Sequence, residues 1–199
     1  MRVRASLLFC FLGLLFASAA CAQQGAYTLP ASLDRLVTQS DQIIRGHVVS
    51  AVVEPHPQFP NLRTVVVTIR VDRTLKGAAE STVTFRQFLW DARDVANAGG
   101  YGKTDEYLLF LNPVSKYGLT SPVGLEQGRF RVRRDAKGNV SAMNGHGNVG
   151  LFTNVSAKLA AQRIAVSSGT QAMLQSPQGG AAPLAALEET IQALETAKP

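Results

Sequence analysis

The sequence predicts a mainly β, exported domain: a small antiparallel β-barrel of five to six strands with a C-terminal helical appendage. Three observations carry that expectation. Over Arg63–Leu75 the residues alternate with period two, Val65, Val67, Ile69 and Val71 on one side and Thr64, Thr68, Arg70 and Asp72 on the other, which is the pattern of a half-buried strand. Several further short runs of strand character recur between glycine, proline and asparagine turn signals. Only beyond the glycine- and asparagine-rich stretch Asn144–Gly150 does helical character take over.

Taken in order, Arg2 and Arg4 precede an apolar run from Leu7 to Phe16 and then Ala17, Ser18, Ala19 and Ala20, the layout of a secretory signal peptide. The run falls short of the about 20 apolar residues that cross a bilayer. The expected organisation is a signal peptide over residues 1–22, a β-barrel domain over 23–145, and a helical appendage over 146–199 with a flexible joint at 176–183. Cleavage after Ala22 removes both cysteines, Cys10 and Cys21; cleavage after Ala20 would leave Cys21 at the new N-terminus, where it could carry a lipid anchor. The remaining residues, about 177, can bury a core without a disulfide. The expected location is secreted or periplasmic, with no transmembrane segment.

Ser32 is placed to cap a short helix in which Leu33, Leu36 and Val37 share a face. A first long strand is expected over Gln42–Glu54, with Ile44, Val48 and Val52 on one face and Arg45 and His47 on the other. Pro55, Pro57 and Pro60 then stiffen a loop over Glu54–Asn61. The second long strand, Arg63–Leu75, ends at Lys76-Gly77, and a third follows with Val83 and Phe85 facing in. Leu89–Thr104 reads as a long glycine-bearing loop anchored by the only tryptophan, Trp90. Tyr107–Leu111 is apolar on both faces, so a central strand covered on both sides is expected. Gly128–Arg134 alternates Phe130 and Val132 inward with Arg129, Arg131 and Arg133 outward, and Val140–Met143 returns after a turn as its hairpin partner. In the tail, a helix is expected from Ser156 to about Val166. Another opens at Pro183 with Leu184, Leu187, Ile191 and Leu194 on one stripe.

The composition narrows function by exclusion. Hydrophobic residues at 46% against 17% charged describe a globular chain, not a disordered one. The net charge of +6 falls to +4 once Arg2 and Arg4 are removed, too small an excess to demand nucleic acid as partner. No His-Glu-x-x-His, Gly-x-Ser-x-Gly, phosphate loop or dinucleotide fingerprint occurs, so no catalytic, cofactor-binding or metal-ligating residue is assigned. His47, His56 and His146 are read as unpaired surface histidines, and Asp91/Asp94 and Asp105/Glu106 as solvated loop charge. The most site-like feature is the row Arg129, Arg131 and Arg133, extended by Arg70 and Arg86 and able to grip an acidic surface. Its strand face carries no interleaved aromatics of the kind that stack on nucleic-acid bases.

The segment Ser40-Asp41-Gln42-Ile43-Ile44-Arg45-Gly46-His47-Val48, the alternating Thr64–Val71, the closing Leu75-Lys76-Gly77 and Asp105-Glu106-Tyr107-Leu108-Leu109-Phe110-Leu111 together resemble the netrin-like and tissue-inhibitor-of-metalloproteinase family. The resemblance covers about Ser40 to Asn112, with Gly128–Val132 as a fifth strand. It implies an OB-type barrel and a protein partner, with a protease among the candidates. The family's inhibitors chelate the target's zinc through a disulfide-tied N-terminal cysteine; here Cys21 has no cysteine partner, as in the cysteine-poor bacterial chains of this kind. The expected function is thus an exported, non-catalytic protein-binding module without cofactor, with Arg129, Arg131, Arg133, Arg70 and Trp90 as the candidate partner-binding residues. Two alternatives stand beside it: a small secreted hydrolase or metal-dependent enzyme, and a polyanion- or envelope-surface-binding protein using the outward arginines.

Overall fold

The computed structural model describes residues 30–175 and 179–197; the expected signal peptide, with Cys10 and Cys21, lies outside them. Helix α1 (Leu33–Gln39) leads into two 14-residue strands, β1 (Gln42–Pro55) and β2 (Arg63–Lys76). Then follow β3 (Thr82–Phe88), the short helix α2 (Ala92–Ala96), β4 (Glu106–Leu111), β5 (Arg129–Arg134) and β6 (Val140–Asn144). Helices α3 (Val155–Ala161) and α4 (Ser168–Gln175), the two-residue strand β7 (Ala182–Pro183) and helix α5 (Leu184–Thr196) complete the chain. Ser32 stands before α1 as expected, but its hydroxyl donates to the Asp34 carboxylate at 2.5 Å instead of capping a backbone amide.

All strands join one antiparallel sheet in the order β3-β2-β1-β4-β5-β6-β7. The architecture is mainly β with its longer helices at the C-terminal end, as the sequence predicts. The closed barrel of five to six strands is replaced by an open sheet of seven strands. The edge of β6 that closure would require is taken by β7, and α5 lies over the face behind it. Ala182 and Pro183, part of the expected joint, supply that strand by pairing with Ala142 and Ser141.

Each face of the sheet has its own core. On one, Ile43, Leu108, Phe110, Phe130, Val132 and Ala142 pack beneath α1, α3, α4 and α5. On the other, Ile44, Val48, Val65, Val67, Ile69, Val83, Phe85 and Leu109 close around Leu89 and Tyr101. Strand β4 serves both cores, as its double-sided apolar sequence predicts: Leu108 and Phe110 face the helices, Tyr107, Leu109 and Leu111 the opposite side.

Register shifts at Ile43/Ile44, Arg45/Gly46 and Val48/Ser50 break the ladder of β1 with β2. The last one reverses the alternation, because an extra residue in a ladder turns every later side chain to the other face. Ile44 and Val48 are buried as expected, but Val52 is 53% exposed and its neighbours Ala51 and Val53 pack inward instead. Gly46 lies at another shift, and a Cβ there would sit 2.1 Å from the Arg70 carbonyl oxygen, so only glycine lets the two strands approach.

The tail holds two further differences. The single helix expected over Ser156–Val166 stops at Ala161, where Arg163 adopts φ +58° and the Ile164 N–H donates to the Leu159 carbonyl. A separate α4 then starts at Ser168. Asn144–Gly150, read as a linker, is a fastened turn. The buried Asn148 donates to the Ala142 and Gly180 carbonyls and accepts from the Asn144 amide, while Asn144 reaches the Gln127 carbonyl.

Candidate binding cleft and charged cluster

Because Phe130 and Val132 face the helices, alternation turns Arg129, Arg131 and Arg133 to the opposite side, beside Tyr107 of β4 and Ser141 and Met143 of β6. There they line an open cleft of about 310 Å³ together with Gly100, Glu126, Asn144 and Gly145. The row is one row by sequence, yet its members have three different environments.

Arg129 is structural. Its guanidinium lies 4.6 Å from the centre of the Tyr101 ring and donates to the Gly99 carbonyl and to Glu126. Gly100 makes room for it: a Cβ there would come within 3.0 Å of Nη2, at a backbone φ of +80° that disfavours any other residue. Burial works against the Arg129 charge, but its interactions with Tyr101 and Glu126 outweigh that and hold the group above its ordinary pKa. Burial raises the Tyr101 phenol in turn, against the lowering effect of Arg129. Arg131 is half committed. It lies 5.5 Å from the Tyr107 ring centre, pairs with Asp105 at 3.0 Å, donates to the Tyr107 hydroxyl at 2.8 Å, and keeps 42% of its side chain exposed. Burial likewise raises the Tyr107 phenol, which donates onward to the Gly100 carbonyl at 2.8 Å. Arg133 is exposed, and its side chain has no ion-pair or hydrogen-bond partner among the described residues.

The other expected site residues do not join this cleft. Arg86 binds Glu54 and Thr64 within the sheet. Trp90 is 64% exposed and stacks edge-on against Phe88, 4.9 Å between ring centres; the residue that anchors the loop is its buried neighbour Leu89. Asp91 and Asp94 are helix caps: Asp91 accepts from the amides of Arg93 and Asp94, and Asp94 from that of Trp90.

Arg70 belongs to a second constellation on the helix-bearing face. Glu106 alternates with Tyr107, so its carboxylate projects there, opposite His47 of β1 in the ladder. His47 Nδ1 lies 2.7 Å from Asp72 Oδ2, and Nε2 lies 3.8 Å from Glu106 Oε2. Arg45 donates to Glu106 Oε1 and Glu188 Oε1, both at 2.8 Å, and Arg73 holds the other oxygen of Glu188 at 2.5 Å. Glu188 is buried, and each of its two oxygens is taken by a guanidinium group. Burial opposes the Arg45 charge, and the two carboxylates more than offset it.

The histidines do not converge. His47 lies in the cluster with Asp72 and Glu106, His146 lies in the Asn144–Gly150 turn, and His56 is 3% exposed, not a surface group. Its Nδ1 accepts the Gln58 amide, so Nε2 carries the proton and donates to the Tyr117 carbonyl at 2.9 Å. The sequence sign for His56 is its setting between Pro55 and Pro57, which restricts the backbone on both sides of it; the stacking of its ring on Phe59, 5.1 Å between ring centres, has no local signal. Among the described residues no helix is long and apolar enough to cross a membrane. Comparison with protein-family models, with curated proteins and with solved structures finds no match to this chain.

Proposed function

We propose that this protein is an exported, non-catalytic binding module that receives an acidic segment of a protein partner in the cleft of Arg131 and Arg133. The single observation that carries the reading is Arg133, whose side chain is left without a partner among the described residues in a cleft where Arg129 is fixed and Arg131 half committed. Arg131 is held from behind by Asp105 and Tyr107, so it meets a carboxylate with little loss of rotamer freedom. Ser141 adds a neutral hydrogen-bonding group, and Met143, 45% exposed, adds an apolar contact. A protease is one class of partner this would suit, by the netrin-like resemblance. What supports the resemblance is that β1 and β2 are both long and bulged and share one core with β3 and β4. Export rests on the residue layout of positions 1–22.

The test is fluorescence anisotropy of labelled glutamate- and aspartate-rich peptides with the mature protein at rising salt. Binding should weaken as salt is added and fall at least tenfold in Arg133→Glu, while Arg70→Glu, on the other face, leaves it unchanged. Equal affinity in Arg133→Glu, or no binding at low salt, would overturn the proposal.

A further inference from the structure

The cluster on the helix-bearing face has a chemistry of its own. His47, Asp72 and Glu106 come from three neighbouring strands, β1, β2 and β4, and each offers a ligand atom within 4.8 Å of the other two. Ligand atoms on one tetrahedral ion stand about 3.4 Å apart, from bond lengths of about 2.1 Å. The widest gap exceeds that spacing by about 1.4 Å at most, and since Asp72 meets Nδ1 of His47 and Glu106 meets Nε2, rotation of the side chains has to bring both carboxylates to one ring nitrogen. All three residues retain partial exposure, 36% for His47, 27% for Asp72 and 20% for Glu106, which leaves the outer side of the group open to water ligands.

The support behind these groups is already in place. Arg45 engages Glu106 through Oε1 only, leaving Oε2 turned to His47, and is itself fixed by the buried Glu188, which Arg73 also holds. Outer partners of this kind orient ligands toward an ion. A cation already attends the cluster. Arg70, 62% exposed, lies 3.4 Å from Asp72 Oδ1 and 3.3 Å from His47 Nδ1. Arg45 and Arg73 together balance Glu106 and Glu188, so once Arg70 swings outward the charge of Asp72 is left uncompensated.

We propose that His47, Asp72 and Glu106 form a binding site for one divalent transition-metal ion, with Arg70 as the displaceable occupant of the same place. One imidazole and two carboxylates suit Zn²⁺ and Co²⁺; the nitrogen donor makes Mg²⁺ and Ca²⁺ poor fits. The site lies on the opposite face of the sheet from the Arg131–Arg133 cleft, and it stands or falls independently of the acidic-segment reading.

The experiment is calorimetric titration of the tag-free mature protein with Zn²⁺, paralleled by the visible absorption of Co²⁺. One ion should bind per chain. His47→Ala and Asp72→Asn should each weaken binding at least tenfold, with far-ultraviolet circular dichroism confirming that both variants stay folded. Arg70→Ala should bind tighter than the parent, a gain that a folding defect cannot imitate. Absence of stoichiometric binding in both the parent and Arg70→Ala would overturn the proposal. So would binding that survives His47→Ala, which would place the ion elsewhere on the chain.

Discussion

At the scale of single residues, the structure separates side chains that the sequence presents as equals. Arg129, Arg131 and Arg133 have the same spacing and the same face, and the alternation that orients them is plain from Phe130 and Val132. What spacing cannot give is the cation–aromatic contact of Arg129 with Tyr101, 28 positions earlier, since that depends on how the loop before β4 packs. Gly46 is a similar case. Its identity looks incidental in an otherwise regular strand until the Arg70 carbonyl is seen where a Cβ would go. Gly46→Ala should therefore force β1 and β2 apart and cost about 3 kcal/mol, the scale of other strongly destabilising steric insertions. Urea unfolding of the variant beside the parent measures it, and a loss below about 0.5 kcal/mol would show that the strands can shift to admit the methyl group.

At the scale of elements, strands were far more legible than helices. β1 and β2 are written in β-branched residues with proline and glycine at their ends, and the structure extends each by one residue at its C-terminal end beyond the expected bounds. The parity change after Val48 was invisible because a bulge inserts no special residue there; Val49 is simply the extra one. Helix α4 was missed because Ser168-Gly169-Thr170-Gln171 is a poor helix-forming run. Its start is fixed by tertiary contact instead. Glu189 of α5 accepts from the Ser167 amide at 2.7 Å and from the hydroxyls of Ser167 and Thr170. The Ser167 and Thr170 hydroxyls, with the Ser167 amide, hold the Glu189 carboxyl below its ordinary value of 4.5. A carboxyl lowered on folding adds stability that is complete above the unfolded value and is lost as pH falls through the folded one. The α4–α5 contact should accordingly loosen only below about pH 4.5, and Glu189→Gln should flatten that part of the stability–pH curve. Hydrogen exchange of the α4 amides between pH 6 and pH 3 reads it directly, in the range set by ordinary carboxylates. An unchanged slope in the variant would refute it.

At the scale of the molecule, two cores share a single ribbon. Phe110 on the helix side and Leu109 on the other are successive residues of β4, so neither core can come apart while the other keeps that strand in place. Phe130 lies fully buried against Phe110, 5.4 Å between ring centres. Phe130→Ala should cost about 4 kcal/mol. The fluorescence of Trp90, beyond the opposite core, should lose its native signal at the same denaturant concentration as the far-ultraviolet signal of the helices. Separate midpoints would mean that the cores melt independently. The mainly β character and the helical tail were readable from pattern alone. The openness of the sheet was not, because it depends on two residues, Ala182 and Pro183, that carry no strand signal of their own.

Those two residues do more than extend the sheet. Pro183 sits opposite Ser141 on the last strand and has no amide hydrogen to offer. A stray ribbon from another molecule approaching that margin finds no donor at this position and a helix departing immediately after it. The same imino acid that turns the chain into α5 thus also guards the margin against fibre growth, a safeguard any redesign of this corner would have to replace.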